Sequence, residues 1–210
     1  MNSEKPKTCE LPPQPAAASE SLGVLGKHWT ACGQYPVERW RGDARQSVED
    51  DVIEEAPVGL FYNNEPHVVM LASPQDLADF ALGFSLTEGI IANRGELAAV
   101  AEYHREEGVE LWLRIPPERF AALGDKARNL TGRTGCGLCG AATLRQAVRQ
   151  PGPVGRGVSV SVAALRDSLQ ALAALQPLNQ LTGAVHGAAW AVPGAGIALL
   201  REDVGRHNAL

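Results

Sequence analysis

The sequence lacks a long apolar run. Its best candidate, residues 183–200, is interrupted by His186, Pro193 and several glycines, so we expect no membrane-spanning segment. Residues 1–20 also lack the apolar stretch of a secretory signal, which makes a cytoplasmic protein the default expectation. With a net charge of −5 the chain has no general positive excess, so nucleic acid is not an expected partner.

Acidic side chains are absent between Lys126 and Arg166, although the chain as a whole is acidic. The basic residues of this segment are Lys126, Arg128, Arg133, Arg145, Arg149, Arg156 and Arg166. One interpretation is an arginine-rich composition without selective meaning. The other is a positive environment, which would stabilise a thiolate and attract an anionic ligand such as a dinucleotide pyrophosphate.

Cysteine is scarce, and two of the four cysteines lie in the acid-free segment, as Cys136 and Cys139 of "TGCGLCG". Such a pair is typical of a redox site, of half a zinc site or of a loop nucleophile that relays sulfur. Cys9, Cys32 and the scattered histidines have no spacing that supports four zinc ligands, so we expect no structural metal. The residues before Cys136 do not predict the strand of a thioredoxin-like motif. Spacing alone leaves the redox and sulfur-relay interpretations equally open.

Zinc-dependent nucleobase deamination is not supported by the sequence. It requires His-x-Glu followed by Pro-Cys-x-x-Cys. Here His186 comes after the cysteine pair, no glutamate stands two residues after it, and no proline precedes Cys136.

Hydrophobic periodicity predicts α+β structure in the first half, after a disordered leader over residues 1–33 that is rich in Pro, Ala, Ser and Glu. The first expected element is a hairpin of Val58–Tyr62 and His67–Leu71. A helix follows, which is capped by Ser73, has Pro74 at its first position, ends at Gly89 and carries on one face Leu77, Phe80, Ala81 and Phe84. The last expected element is a strand that buries Val109, Leu111, Leu113 and Ile115.

Alternating strand and helix patterns predict an α/β layer in the second half. A helix is expected over Ala141–Val148, a strand over Gly157–Val162, and a second helix over 163–175 with one face formed by Leu165, Leu169 and Leu172. A helical or buried segment is expected over 182–192, followed by a turn at Pro193-Gly194. The last expected elements are a buried strand over 197–203 and the start of a helix at 204–210. The predicted domains are a leader (1–33), an α+β subdomain (34–130), a flexible Cys-x-x-Cys loop (131–140) and an α/β subdomain (141–210).

Polar residues are concentrated after the last predicted strand, as Glu202, Asp203, Arg206, His207 and Asn208. Ligands of open α/β sheets bind at the carboxyl ends of strands, so we predict a site there. His186 follows a glycine-containing turn and is predicted to open a helix. Because the chain stops inside its last predicted helix, we expect either a longer natural chain or a truncated product.

Four motifs carry a family resemblance: "GFSLTEGII", "CGLCG", "TGAVHGAA" and "REDVGRHNAL". Together, and in this order, they resemble the formate dehydrogenase accessory sulfurtransferase family, FdhD. The resemblance extends from about Tyr35 to Leu210. Ser85 differs from the family pattern, which usually has a bulky apolar residue at that position, and "TGRTGCG" varies the loop before the first cysteine.

The resemblance implies a cytoplasmic, homodimeric sulfur carrier. Such a protein accepts sulfane sulfur from a cysteine desulfurase as a persulfide, here on Cys136, while Cys139 has a supporting role. The sulfur goes to a bound substrate, the molybdenum (or tungsten) bis-molybdopterin guanine dinucleotide cofactor, before that cofactor enters the formate dehydrogenase apoenzyme.

The resemblance also implies a cytidine-deaminase-like α/β layer without zinc in the second half, incomplete in this chain. A guanine-nucleotide pocket would lie on that half. The candidate residues for this pocket or its support are His186, Arg201, Glu202, Asp203, Arg206, His207 and Asn208. The alternatives are a non-catalytic chaperone that only binds the cofactor and an inactive truncated fragment.

Overall fold

The computed structural model describes residues 28–123, here called the first half, and residues 153–210, the second half. The first half contains β1 (Cys32–Arg41), β2 (Ala44–Ile53), β3 (Ala56–Tyr62), β4 (Glu65–Ala72), α1 (Leu77–Thr87), a 3-10 turn (Arg94–Glu96), β5 (Ala99–His104), β6 (Val109–Arg114) and α2 (Pro117–Leu123). The second half contains α3 (Val162–Ala174), α4 (Pro177–Thr182), β7 (His186–Val192), β8 (Gly196–Asp203) and α5 (Arg206–Ala209).

A four-stranded sheet in the order β4-β3-β6-β5 forms the centre of the first half. Strands β3 and β6 run parallel, and the two outer pairs are antiparallel. A parallel pair needs a crossover connection, and α1 lies in the segment that makes it. Helices thus combine with a mixed sheet, and the predicted α+β class is confirmed.

The predicted alternation of β6 is confirmed, because its aliphatic side chains face the core. Val109, Leu111, Leu113 and the following Ile115 are buried, whereas Glu110 and Trp112 between them are only partly buried. Side chains two residues apart lie on the same face of a strand, so this pattern places the aliphatic residues of β6 on one side, and Glu110 and Trp112 on the other.

The predicted hairpin is also confirmed, with slightly longer strands and a tighter turn. Tyr62 pairs with Glu65, which leaves Asn63 and Asn64 as a two-residue loop. Both asparagines have positive φ, 48° and 76°. A two-residue hairpin loop of type I′ requires this backbone conformation at both positions, and asparagine tolerates it better than most residues.

Helix α1 follows the prediction along its length but not at its start. Ser73 was expected to cap it, yet the helix begins at Leu77, after Asp76 in a left-handed conformation with φ 49°. Ser73 is buried and contacts the second half instead. The helix ends where predicted, since Gly89 has φ 63° and its N–H donates to the Leu86 carbonyl oxygen.

Ser85, the position that departs from the family pattern, lies fully buried on α1. Its hydroxyl is 2.7 Å from the Tyr62 hydroxyl and donates to the Ala81 carbonyl oxygen at 2.6 Å. Burial also raises the pKa of the Tyr62 phenol, so the ring stays neutral. The buried Ser85 hydroxyl thus has hydrogen-bonding partners on both Tyr62 and Ala81.

The predicted leader is wrong over residues 28–33. Ala31 and Cys32 are buried against Leu178 of α4, and the Trp29 indole N–H donates to the Arg105 carbonyl oxygen at 3.0 Å. A segment this short is too brief for hydrophobic periodicity, so composition could not separate it from the preceding residues. Residues 1–27, the predicted loop at 131–140 and the predicted helix Ala141–Val148 lie outside the described residues.

The strand predicted over Gly157–Val162 is wrong. Ser161 caps helix α3, accepting the Ala164 N–H at 3.1 Å, and α3 begins at Val162. Val158 is 79% exposed, and among the described residues no strand pairs with this segment. Alternating β-branched residues favour a strand only where a neighbouring strand accepts their backbone hydrogen bonds. The helix predicted at 163–175 is confirmed.

His186 does not open a helix, because residues 186–192 form strand β7. Strands β7 and β8 make an antiparallel hairpin whose turn lies at the predicted Pro193-Gly194. Cross-strand hydrogen bonds outweigh the weak helical preference of "HGAAW". The second half therefore places helices beside an antiparallel pair, and the parallel pair of the described residues lies in the first half.

Strand β8 reverses the predicted burial. Its apolar middle is open to solvent, with Leu199 50% exposed, while Glu202 and Asp203 at its carboxyl end are each 5% exposed.

Among the described residues, no helix has the length and hydropathy that crossing a bilayer would require.

Candidate functional site

The carboxyl end of β8 joins the two halves of the chain. Consecutive residues of a strand point to opposite faces, and here they have different partners. The Glu202 carboxylate contacts helix α4, and the Asp203 carboxylate contacts the loop between β4 and α1. Two adjacent acidic residues therefore hold two different segments.

The Glu202 carboxylate caps helix α4. Its Oε2 accepts the Leu178 N–H at 3.0 Å and its Oε1 accepts the Asn179 N–H at 2.9 Å. These are among the first N–H groups of the helix, which have no partner inside it. A carboxylate at this end is also favoured by the helix dipole. Glu202 thus supports the site, and both its side-chain oxygens are engaged.

The Asp203 carboxylate connects three backbone or side-chain donors. Oδ2 accepts the Ser73 N–H at 2.8 Å, while Oδ1 accepts the Gly205 N–H at 2.6 Å and the Asn208 amide at 3.1 Å. Burial raises the pKa of the Asp203 carboxyl above its ordinary value, although these three hydrogen bonds act in the opposite direction.

Further hydrogen bonds join the same two segments. The Val204 N–H donates to the Ser73 hydroxyl at 3.2 Å, and the Asn208 amide donates to the Leu71 carbonyl oxygen at 2.9 Å. The Gln75 amide donates to the Glu202 carbonyl oxygen at 3.0 Å. Asn208 is therefore a connecting residue in this structure.

Arg201 is paired with acids of α1 and of the loop before it. Its guanidinium donates to Asp79 Oδ2 through two nitrogens, Nε at 2.8 Å and Nη2, and lies 3.6 Å from Asp76 Oδ2. It also donates to the Leu200 carbonyl oxygen at 2.6 Å. The charge of Arg201 is thus largely balanced within the protein.

Arg206, His207 and His186 differ from the other candidates. All three are exposed, and none of their side chains forms a hydrogen bond or ion pair with another residue of the described ranges. Arg206 and His207 lie on α5, and His186 opens β7, where it is the register partner of Asp203. These side chains remain available to a ligand.

An open cleft of about 260 Å³ lies beside this junction. Strand β8 forms one wall, and the start of α4 and the loop before α1 form the others; its lining includes Gln75, Asp76, Leu175, Pro177, Leu199 and Glu202. Within residues 28–123 and 153–210, no group of three or more His, Cys, Asp or Glu side chains could hold a metal ion. Cys136 and Cys139 lie outside these ranges.

Residues of the first half that complete this junction were not predicted as site residues. Ser73, Gln75 and Asp79 are its main examples, and "SPQD" was interpreted as a helix start. Their partners lie 122 to 131 positions away in the chain. No local pattern carries information at that separation, so sequence reasoning had no signal for them.

A family model described as FdhD/NarQ matches residues 53–210, which include the β8 junction and the cysteine pair. The chain belongs to the FdhD/NarQ family. The resemblance predicted from the four motifs is thereby confirmed.

Curated members of the family include proteins named sulfur carrier protein FdhD. The one from Xanthomonas euvesicatoria pv. vesicatoria is 48% identical over 174 residues, which are 83% of this chain and 62% of the relative. The one from Cupriavidus necator is 46% identical over 176 residues, 84% of this chain and 61% of the relative. The chain thus spans about three fifths of the length of these relatives.

A solved structure shows the same fold. It is the crystal structure of a protein from Desulfotalea psychrophila that is described as a formate dehydrogenase accessory protein. The match has a TM-score of 0.60 at 19% sequence identity and covers 85% of this chain and 65% of that protein. At this identity the likeness concerns the fold alone.

Proposed function

We propose that this chain is a sulfur carrier that matures formate dehydrogenase, a sulfurtransferase with a cysteine persulfide intermediate. The observation that carries the proposal is the family match over residues 53–210, which contain Cys136 and Cys139 in an acid-free, basic segment. The names of the relatives support the same role.

The proposed chemistry begins at Cys136. Its thiolate attacks the outer sulfur of a persulfide on a cysteine desulfurase. The sulfur–sulfur bond of the donor breaks, the donor cysteine leaves as a thiolate, and a new sulfur–sulfur bond forms on Cys136. Surrounding positive charge favours this step, because it stabilises the attacking thiolate. Cys139 has a supporting role.

The proposed acceptor is the molybdenum (or tungsten) bis-molybdopterin guanine dinucleotide cofactor, bound as a substrate and passed on to the formate dehydrogenase apoenzyme. Phosphate oxygens of this molecule are anionic, and exposed cationic side chains without a partner suit them. Arg206 meets this description, and His207 and His186 add donors beside it. Arg201, Glu202, Asp203 and Asn208 support this surface.

Two further parts of the proposal concern the assembly and its compartment. The resemblance implies a homodimer in the cytoplasm, where the desulfurase and the apoenzyme would be encountered. Size-exclusion chromatography with light scattering measures the first, and fractionation of the source cells measures the second.

The proposal is tested by complementation. Cells without their own sulfur carrier of this family should regain formate dehydrogenase activity with the wild-type chain and not with Cys136→Ala. Cys9→Ala is the matched control and should restore activity fully. Equal restoration by Cys136→Ala and the wild type would contradict the proposed chemistry.

The second candidate is a non-catalytic chaperone for the same cofactor. The availability of Arg206 and His207, which needs no sulfur chemistry, favours it. It predicts that GDP protects Cys136→Ala against heat as well as it protects the wild type, and that Cys136→Ala still supports maturation. Loss of maturation in a variant that retains GDP protection separates the two candidates.

A further inference from the structure

We infer that Ser73, Asp203 and Asn208 form a latch between the two halves, and that this latch positions Arg206 and His207 for their ligand. The latch consists of three hydrogen bonds, from the Ser73 N–H to Asp203, from the Val204 N–H to the Ser73 hydroxyl, and from the Asn208 amide to the Leu71 carbonyl oxygen. Its relevance to the ligand rests on the proposed function.

Helix α5 depends on this latch because it is only four residues long. One helical turn is unstable by itself, since nucleation fixes several residues for a single hydrogen bond. Its position therefore comes from contacts outside the helix. Those contacts are the Asn208 amide, which binds both Leu71 and Asp203, and the buried side chain of Ala209.

The part of the latch that lies in the first half, Ser73, is held in place by the central sheet. Ser73 is 1% exposed and directly follows strand β4, so its N–H and hydroxyl are held by the central sheet. Asp203 receives the Ser73 N–H on one oxygen and the Gly205 N–H on the other. The carboxylate thus links Ser73, at the end of the sheet, to Gly205, the residue that precedes α5.

The side chains of Asn208 and Asp203 lie close against Gly205. A Cβ atom there would lie 2.9 Å from the Asn208 amide nitrogen and 3.3 Å from Asp203 Oδ1. Even one methyl group would therefore push against both side chains. Arg206 and His207 follow directly, and both are exposed.

A positioning role and a merely structural role predict different results. A structural role lowers the stability of the fold and leaves the affinity of the folded protein for a ligand unchanged. A positioning role lowers that affinity even under conditions in which the variant is fully folded. The comparison needs a control that removes a buried hydrogen bond elsewhere.

The test compares Asn208→Ala with Tyr62→Phe, which removes the Tyr62–Ser85 hydrogen bond inside the first half. GDP is the probe, titrated calorimetrically well below the melting temperatures of both variants. We expect Asn208→Ala to weaken GDP binding about tenfold and Tyr62→Phe to change it less than about twofold. Equal affinities of the two folded variants would overturn the inference. Ser73→Ala, which removes only the hydroxyl, replaces Asn208→Ala if that variant does not fold.

Amide hydrogen exchange distinguishes failure of the latch from failure of the proposed function. If the wild type does not bind GDP, the proposed nucleotide surface is wrong. The latch is then judged by exchange at residues 204–209, which Asn208→Ala should accelerate and Tyr62→Phe should not. Unchanged exchange in Asn208→Ala would overturn the latch whether or not GDP binds.

Discussion

The core of the first half and the carboxyl end of β8 are both buried, but different forces hold them. Around β6 the buried side chains are apolar, with Leu60, Leu111 and Val58 fully enclosed. At the end of β8 the buried side chains are the carboxylates of Glu202 and Asp203, each bound by backbone N–H groups. The first region is stabilised by removing apolar surface from water, the second by satisfying charges.

Because of this difference, we expect the two regions to contribute differently, the apolar core to the stability of the fold and the buried carboxylates to the relative position of the two halves. An apolar contact has no preferred direction, so a core tolerates many arrangements of similar volume. A buried carboxylate needs donors at defined positions, because each missing donor leaves its desolvation uncompensated. The core of the first half therefore supplies most of the stability, while the end of β8 fixes how the two halves meet.

Truncation of a core leucine should have the largest effect on stability. Leu111→Ala removes a fully buried side chain and leaves a cavity, so it should lower the free energy of unfolding by about 2–5 kcal/mol. Urea denaturation followed by circular dichroism measures this. Val69→Ala on the exposed side of β4 is the control. A loss no larger than in Val69→Ala would contradict the assignment of the core.

Loss of the Glu202 charge should have a smaller and more local effect. Glu202→Gln keeps the shape of the side chain but presents an amide to the N–H groups of α4, and we expect a cost of about 1–3 kcal/mol. Hydrogen exchange should accelerate at Leu178 and Asn179. Glu107→Gln, at an exposed position, is the matched control. Equal stability of the two variants would contradict the capping role of Glu202.

The pH dependence at Asp203 should be the smallest effect. Because the pKa of its carboxyl is raised in the folded state, wild-type stability gains from this group as the pH falls through that raised value towards the ordinary one. Burial and the Asp203 charge also raise the pKa of nearby Glu55, which adds a gain of the same sign.

Asp203→Asn removes the contribution of Asp203 and the part of the Glu55 contribution that comes from the Asp203 charge, while the part that comes from burial of Glu55 remains. The stability deficit of this variant should therefore be greater at mildly acidic pH than near neutrality. Denaturant midpoints across this range measure the deficit. A deficit that shrinks on acidification would contradict the raised pKa of Asp203.

Local pattern was sufficient for elements whose partners are near in the chain or whose face is uniformly apolar. The alternation in β6, the hairpin that follows Val58–Tyr62 and the stop of α1 at Gly89 were all predicted. The segment Gly157–Val162 was predicted wrongly, because its alternation resembles a strand while Ser161 caps a helix. The helix predicted to open at His186 was also wrong, because pairing with β8 makes residues 186–192 a strand.

Only the part of the candidate site that lies in the second half of the chain was predicted. Its motif residues Glu202, Asp203 and Asn208 were found, since five polar residues crowd the end of an apolar strand. Ser73 was taken for a helix cap, because its contact with Asp203 spans 130 positions. The roles of Cys136 and Cys139 stay predictions, as these residues lie outside the described ranges.

Sulfur transfer through Cys136 can be followed by intact-protein mass spectrometry. The wild-type chain is incubated with a cysteine desulfurase and cysteine, without reductant, beside Cys136→Ala and Cys9→Ala. We predict that the wild type and Cys9→Ala each gain the mass of one sulfur atom, which dithiothreitol removes, and that Cys136→Ala gains none. Gain of the same sulfur by Cys136→Ala, or no gain by the wild type, would contradict the account.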